Sequence, residues 1–269
     1  MILTINLELC SKCGSCELLC PTSVINLEEK GAVEKYPDYC INCGHCVSVC
    51  PENAIKHSQL DENGFIAVEK SNISYNDFNI LTRNRRSIRQ YQKKPISESH
   101  IKIIMESIKY IPTGSNKQAL KYIIISNPDR INKIREEMVN IFKKFIKEMP
   151  KFEARFQLAR KYQEKGIELD FALRNAPTLL IIYAANDQSG SWDAGIASYH
   201  ISLMGEILGI GTCLNGYHTG FSNSSEIIRK ISMIPNGHRV LASICMGYPK
   251  KSVRYYKVPY RKPVNYQMY

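Results

Sequence analysis

The residues most capable of chemistry form two cysteine runs, CSKCGSCELLCP from Cys10 and CINCGHCVSVCP from Cys40. Each run has the spacing C-x2-C-x2-C-x3-C-P, and the second repeats the first 30 residues later, with Gly14 matched by Gly44. Three thiolates at this spacing hold one iron–sulfur cube, while the fourth cysteine of each run ligates the other cube. The spacing therefore predicts two 4Fe-4S clusters.

This crossed pattern divides the eight cysteines into two ligand sets. One set is Cys10, Cys13, Cys16 and Cys50, and the other is Cys40, Cys43, Cys46 and Cys20. Disulfides and zinc are the alternatives. Disulfides need an oxidising compartment, and MILTINLELC has no export signal, whereas zinc sites usually use two separated cysteine or histidine pairs. A small loop-rich domain has little core of its own, so we expect the clusters to stabilise its fold.

A second candidate is the basic string RNRRSIRQY, which contains Arg85, Ser87 and Arg89 at a spacing of two residues. In an extended segment these three side chains share one face, where two guanidinium groups and a hydroxyl can bind one anion. Arg86 and Ile88 then face the other way. The alternative is a basic helix end that pairs with its own last carbonyl groups.

The chain of 269 residues is long enough for about two domains, which must position these candidate residues. We predict a two-cluster domain at residues 1–60, a polar linker at 61–76, and a second domain at 77–269 that ends in a C-terminal extension. SESHIKIIMESIKYIP and DAGIASYHISLMGEILGIG have helical patterns, the latter ending at Gly209 or Gly211. YIIIS, TLLIIYA and VLASICMGYP have the pattern of buried strands. This irregular mixture favours an α+β sandwich over a doubly wound sheet.

Composition and charge indicate which classes of binding partner to expect. The formal charge of +11 falls to roughly +5 if two cubes and a phosphate are bound, and acidic residues interrupt the basic stretches. We therefore expect no nucleic-acid partner. No apolar stretch approaches the length of a membrane span, so we expect no membrane association and a soluble, cytoplasmic protein. No G-x-G-x-x-G follows a strand, which gives a Rossmann site little support.

Four strings occur in the order and spacing of the nitroreductase family: RRSIRQY, IPTGSNKQ, DAGIASYHISLMGEILGIGTC and MGYPKKSVRYYKVPYRKP. This resemblance covers roughly residues 76–265. Residues 1–60 resemble a bacterial two-cluster ferredoxin. The whole chain resembles the ferredoxin–nitroreductase fusions of anaerobic bacteria, which implies a nitroreductase-type α/β/α sandwich, a homodimer, and FMN in a cleft between the subunits.

By motif, the resemblance implies that Arg85 and Ser87 hold the FMN phosphate, that Arg261 closes on it, and that Arg89 reaches the ribityl chain or the pyrimidine edge. Arg86, although on the opposite face, is included among the candidate cofactor residues. Arginine forks suit a phosphate dianion.

The flavin ring involves two further segments. The resemblance implies that Pro112, Thr113 and Gly114 line the site from the partner chain and that Asn116 hydrogen-bonds the pyrimidine end. Three consecutive residues would pass over the N5 side: Leu214, Asn215 and Gly216. The chain has NKQAL where family members often have N-x-Q-P-W, so no role is assigned to Gln118.

No catalytic residue is assigned, and the substrate's proton comes from His218, Tyr217 or solvent. Cys213 and Cys245 are expected to be buried small side chains rather than ligands. The favoured hypothesis is that ferredoxin or another low-potential donor reduces the clusters, the clusters reduce FMN, and FMN reduces a small electrophile such as a nitroarene or quinone. The alternatives are an electron-transfer module serving a protein partner and a sensor with structural clusters.

Overall fold

The computed structural model describes residues 1–145, 150–165, 169–187, 190–252 and 255–269. It divides into two compact units. We call Met1–Asn72 with Thr113–Gln118 the cysteine unit, and Ile73–Pro112 with Ala119–Tyr269 the sheet unit. The division after Asn72 falls inside the segment predicted as a linker, and the domain boundaries given above stay predictions. No helix in the described part of the chain is long and apolar enough to cross a membrane.

The cysteine unit is built from two similar halves. Its strands are β1 (Leu3–Ile5), β2 (Ile25–Glu28), β3 (Gly31–Glu34) and β4 (Ile55–His57), and its helices are α1 (Ser15–Leu18) and α2 (His45–Ser48). Antiparallel pairs join β1 to β4 and β2 to β3. Short 3-10 helices lie at Pro37–Tyr39, Glu62–Gly64 and Gly114–Asn116.

Matched glycines start the two short helices. Gly14 and Gly44 have φ of 75° and 73°, a left-handed conformation that glycine adopts without steric cost. The sequence repeat is therefore also a repeat of backbone conformation.

The sheet unit contains seven helices and four strands among its described residues. The helices are α3 (Tyr75–Asn84), α4 (Glu98–Ile108), α5 (Pro128–Lys144), α6 (Pro150–Gln163), α7 (Ser191–Ile207), α8 (Gly216–Ser224) and α9 (Glu226–Ile231). The strands are β5 (Lys121–Ile125), β6 (Thr178–Ala185), β7 (Gly211–Leu214) and β8 (His238–Gly247). They form one antiparallel sheet in the order β5-β6-β8-β7.

Both faces of this sheet are buried, and β6 shows why. Leu179 and Ile181 belong to one hydrophobic cluster, which includes Ile134 of α5, while Leu180 and Ile182 belong to a second cluster with helix α7. Successive strand residues point to opposite faces, so a strand covered by helices on both sides must be apolar throughout. The α+β prediction with a helix–sheet–helix sandwich is confirmed.

The predicted elements α4, α7, β5, β6 and β8 are present, whereas the other helices of the sheet unit and strand β7 were not predicted. Helix α4 begins after Ser97, whose Oγ accepts a hydrogen bond from His100 N at 3.4 Å. Helix α7 ends just before Gly209, which has φ 69°. Strand β7 was not predicted, because its four residues directly follow the glycine-rich end of α7 and are too few to show a period.

The segment after α3 runs alongside β7. Ile88 N donates to Thr212 O at 2.9 Å, and Ser87 forms a parallel bridge with Thr212. An added Cβ at Gly211 would lie 2.7 Å from Ile88 Cβ. Only glycine therefore permits this close approach.

We expect Gly211→Ala to lower the free energy of unfolding by roughly 1–3 kcal/mol, because the clash involves Ile88 Cβ, which cannot move without its backbone. Gly220→Ala is the matched control. Gly220 lies within α8, and no atom lies within 4 Å of an added Cβ there, so we expect a gain of about 0.5–1 kcal/mol. Thermal unfolding of the anaerobic full-length variants checks both. Equal effects at the two glycines would contradict the close-approach explanation.

Candidate cofactor sites

The eight run cysteines line two cavities in the cysteine unit. The first, with about 340 Å³ of empty space, is lined by Cys10, Cys13, Cys16 and Cys50. The second, with about 350 Å³, is lined by Cys20, Cys40, Cys43 and Cys46. This is the grouping that the crossed assignment predicts, because the last cysteine of each run lies with the first three of the other.

Backbone N–H groups approach the crossing sulfur in each half. Val24 N donates to Cys20 Sγ at 3.2 Å, and Ala54 N donates to Cys50 Sγ at 3.3 Å. These two contacts occupy equivalent positions of the repeat. Donors of this kind stabilise the thiolate form that a metal requires.

The donor set suits a cluster-sized group. No three or more His, Cys, Asp and Glu side chains in the described part of the chain are arranged around a single metal ion. Instead four sulfur donors line each cavity, and soft thiolate ligands suit iron–sulfur clusters. The cysteines therefore fit two 4Fe-4S cubes, and their individual roles as ligands stay predictions.

A larger cavity lies in the sheet unit, with about 1100 Å³ of empty space that opens to solvent. Five of the predicted cofactor residues line it: Arg85, Ser87, Leu214, Asn215 and Gly216. The first two follow α3, and the other three join β7 to α8. The parallel bridge between Ser87 and Thr212 brings these two segments together.

Arg85 is the basic group of this cavity. It follows the end of α3 with extended backbone angles, φ −57° and ψ 127°, and its guanidinium carbon lies 5.9 Å from the Tyr199 ring centroid. Its Nε is buried and has no hydrogen-bond partner among the described residues. A buried donor without a partner is costly, so this arginine is suited to an anionic ligand.

The neighbouring arginines lie elsewhere. Arg86 Nε donates to Asn84 O at 3.0 Å, and its Nη2 donates to Arg83 O at 3.0 Å, so Arg86 pairs with the last carbonyls of α3. Arg89 is exposed and does not line the cavity. Each interpretation of RNRRSIRQY, the anion-binding face and the basic helix end, therefore holds for part of the string. Arg85 and Ser87 line a cavity, and Arg86 caps the end of α3.

The loop predicted to hold the pyrimidine end has other contacts. Asn116 belongs to the cysteine unit, where its Nδ2 donates to Ile41 O at 3.1 Å and to Asn42 O at 2.8 Å. Its Oδ1 accepts from Gln118 Nε2 at 3.1 Å. The side chain thus holds the loop between Cys40 and Cys43, and a contact with FMN stays a prediction.

Four further predicted positions are not among the residues that line the sheet-unit cavity. Pro112, Thr113 and Gly114 do not line it, and the resemblance had placed them in the site of a partner chain. Arg261 is exposed, and its Nη1 donates to Tyr260 O at 3.3 Å.

His218, a candidate proton donor, is buried and does not line the cavity. Its Nδ1 lies 2.8 Å from Ser243 Oγ, its Nε2 lies 3.0 Å from Ser232 Oγ, and burial lowers its pKa to about 4. Asn215 Oδ1 caps α8 by accepting from His218 N at 3.0 Å. The histidine is therefore neutral near pH 7 and held between two hydroxyl groups, which is a structural role. The proton donor stays unassigned.

The two remaining cysteines are buried in the sheet unit. Cys213 and Cys245 both belong to its core, as expected. Burial raises the pKa of Cys245 to about 12, so it remains a thiol.

One wall of the cavity was not predicted. Gly195, Ser198, Tyr199 and Ser202 of α7 line it. Their spacing of three or four residues puts them on one helix face. A stripe of small polar residues within an otherwise apolar helix is a signal that could have identified this wall.

Comparison with known proteins agrees with the two-part organisation. Residues 9–54 match the model of a 4Fe-4S dicluster domain, and residues 82–248 match the model of the Nitroreductase family. The chain thus combines an iron–sulfur domain with a sheet-based oxidoreductase domain. Since the second match spans more than half of the 269 residues, the chain belongs to the nitroreductase family. The recognition of a ferredoxin–nitroreductase fusion is confirmed.

Individual relatives are distant. An NADPH-dependent oxidoreductase of Staphylococcus saprophyticus is 26% identical over 63% of this chain and 64% of its own length, which is less than two thirds of that protein. An FMN reductase (NAD(P)H) of Bacillus subtilis is 26% identical over 68% of this chain and 70% of its own. A crystal structure of a Bacteroides fragilis nitroreductase with bound FMN gives a TM-score of 0.57 at 19% identity, covering 71% of this chain and 97% of that one. This last likeness shows the fold.

The crossed grouping of cysteines can be tested with paired substitutions. We expect Cys13→Ala combined with Cys50→Ala to remove one cluster and leave about four iron per chain, because both sulfurs line the same cavity. The matched pair Cys13→Ala with Cys20→Ala should damage both clusters and leave far less iron. Iron and sulfide analysis of anaerobically purified protein measures both. The reverse ranking would show that each run holds its own cluster.

Proposed function

We propose that this chain is an iron–sulfur flavoprotein oxidoreductase that passes electrons through two 4Fe-4S clusters to FMN and then to a small electrophilic acceptor. The observation that carries the proposal is one chain with two four-cysteine cavities and a separate cavity lined by Arg85, whose Nε has no hydrogen-bond partner among the described residues. Clusters carry single electrons, and a flavin can collect two. A protein with both can convert one-electron supply into two-electron reduction.

FMN is the proposed ligand of the sheet-unit cavity. Arg85 supplies a buried N–H donor and a positive charge, and Ser87 supplies a hydroxyl, as a phosphate dianion requires. Leu214, Asn215 and Gly216 lie along the same cavity, where backbone groups can orient a flavin ring. When bound, FMN would supply the two-electron reduction of an organic acceptor.

The remaining FMN contacts belong to a proposed homodimer. In it, Pro112, Thr113 and Gly114 would contribute to the site of the partner chain, as the family resemblance implies. Arg89 and Arg261 would join the phosphate side, and Asn116 the pyrimidine end. Support for this part is the family membership together with the solvent-open cavity.

The acceptor is proposed to be small because it would share one cavity, with about 1100 Å³ of empty space that opens to solvent, with FMN. Nitroarenes and quinones have the required electrophilic character. The proposed donor is ferredoxin or another low-potential protein. The names of two relatives mention NADPH or NAD(P)H. NADH and NADPH are therefore the alternative electron donors in the test. The cluster thiolates require a reducing compartment, which favours the cytoplasm.

Anaerobic turnover with defined donors tests the whole proposal. Full-length protein is mixed with reduced ferredoxin, NADH or NADPH, and with a nitroarene or quinone. We expect ferredoxin to support turnover. The Cys13→Ala, Cys50→Ala variant should lose ferredoxin-driven turnover and keep turnover when its flavin is reduced chemically. Unchanged ferredoxin-driven turnover in this variant would show that the first cluster is not on the electron path.

The phosphate assignment predicts unequal effects at adjacent arginines. We expect Arg85→Ala to weaken FMN binding by about 2 kcal/mol, roughly 30-fold, because a charged hydrogen bond in a buried position is lost. Arg86→Ala is the matched control, since Arg86 pairs with the end of α3, and should change the dissociation constant only a few-fold. Fluorescence titration of the apoprotein with FMN measures both. Equal losses would mean that the basic string acts only as a diffuse positive field.

A further inference from the structure

The two cysteine cavities differ at one matched position. His57 follows Cys40 by 17 residues, as Leu27 follows Cys10 by 17. Each residue lines the cavity of its own half, His57 the second and Leu27 the first. The repeat therefore places an imidazole beside one set of thiolates and an isobutyl group beside the other.

The imidazole is buried and held in one orientation. His57 is 4% exposed, ends strand β4 and pairs with Leu3 of β1. Its Nδ1 accepts a hydrogen bond from Gln59 N at 3.2 Å. A nitrogen that accepts carries a lone pair, so the ring proton of the neutral imidazole lies on Nε2.

Nε2 faces a predicted cluster ligand. It lies 3.5 Å from Cys40 Sγ, within the range of an N–H···S hydrogen bond. The other buried N–H···S contacts described above, from Val24 and Ala54, are matched between the halves and cannot distinguish the clusters. His57 has leucine at its matched position in the first half, so its contact with Cys40 can make the two clusters different.

In the first half a hydroxyl group contacts a cysteine sulfur, and this contact is weaker than the one that His57 makes in the second half. Cys13 Sγ lies 3.5 Å from Ser15 Oγ, at an exposed position where water competes for both groups. A hydrogen bond in a buried site is electrostatically stronger than the same bond in water. The imidazole is therefore expected to have the larger effect, and Ser15 provides a control.

We propose that His57 is a positioning residue that raises the reduction potential of the cluster held by Cys20, Cys40, Cys43 and Cys46 above that of the other cluster. This inference rests on the clusters of the proposed function. Reduction adds negative charge to a cluster and its sulfur ligands, and an N–H dipole directed at a ligand sulfur stabilises that added charge.

The consequence is a direction for electrons inside the cysteine unit. In the internal step the cluster of Cys10, Cys13, Cys16 and Cys50 loses one electron and the other cluster gains it. No bond is broken and the Nε2 proton stays on the ring. At one electron per chain, the electron resides mainly on the cluster beside His57.

Redox titration of the anaerobic full-length protein tests this, with dithionite as reductant and electron paramagnetic resonance as readout. His57→Leu copies the residue of the first half and removes the donor. We expect it to shift the equilibrium between the two clusters about tenfold toward the first, which is about 59 mV for a one-electron couple. His57→Gln keeps an N–H donor and should recover part of the shift. Ser15→Ala should shift its cluster less.

The affected cluster is identified in the Cys13→Ala, Cys50→Ala background, which is expected to retain only the cluster beside His57. His57→Leu should lower the single potential seen there, and if that variant fails to hold iron, His57→Gln provides the measurement. An unchanged potential with full iron and sulfide content overturns the inference and leaves the proposed function intact. Equal shifts of both clusters in the full-length protein would also overturn it. Absence of eight iron and eight sulfide per chain would instead contradict the two-cluster proposal itself.

Discussion

The fold of the N-terminal part depends on where its cysteine sulfurs lie. Only six buried residues form its hydrophobic cluster, and one of them is Cys16. Five more run cysteines pack against that cluster as partly buried side chains: Cys10, Cys20, Cys40, Cys46 and Cys50. Cysteine therefore occupies positions where a larger domain would place aliphatic residues. Because the thiolates are brought together only in the folded state, cluster binding would contribute folding free energy, and the two clusters would form much of the core of this unit.

The repeat shows how the same backbone conformation can form two cysteine cavities with different neighbouring side chains. The glycines before α1 and α2, and the N–H donors to the crossing sulfurs, occur in both halves with nearly equal geometry. These features surround the cysteine runs themselves, where a short loop would have to wrap around a cube. Positions on the strands that close the cavities are freer, since they contact a cluster without ligating it. Leu27 and His57 occupy one such pair, which makes inequivalent clusters available without altering the ligand set.

The sheet unit solves a different problem, because it buries both faces of a sheet and still leaves a polar cavity. Strand β6 can be apolar throughout because helices cover both of its faces. Helix α7 faces the core with Ala197 and Ile201 but lines the cavity with Ser198 and Ser202. The serine hydroxyls donate to carbonyls one turn earlier, at 2.6 and 2.8 Å, so the wall is polar without having unsatisfied hydroxyl donors. Arg85 Nε differs from them in lacking a partner among the described residues, which is why it points to a ligand more strongly than they do.

Structural features that depend on local spacing could be predicted from the sequence. Features that depend on contacts between distant segments could not. Cysteine spacing, the helices α4 and α7, and three of the four strands of the sheet follow from periods that a short window contains. Strand β7 is stabilised by pairing with β8 and by the approach of Ile88, and four residues cannot show this alone. Asn116 is a clear case, because its amide group contacts carbonyls 74 and 75 residues earlier in the chain, a contact that no short window contains, and its flavin role stays a prediction. His57 was missed for the same reason: its importance lies in a sulfur 17 residues away, and only the folded strand brings Nε2 to that sulfur. Residues that modify a cofactor through its ligands must therefore be sought in the structure, by asking which buried donors lie beside one ligand set and have no counterpart beside the other.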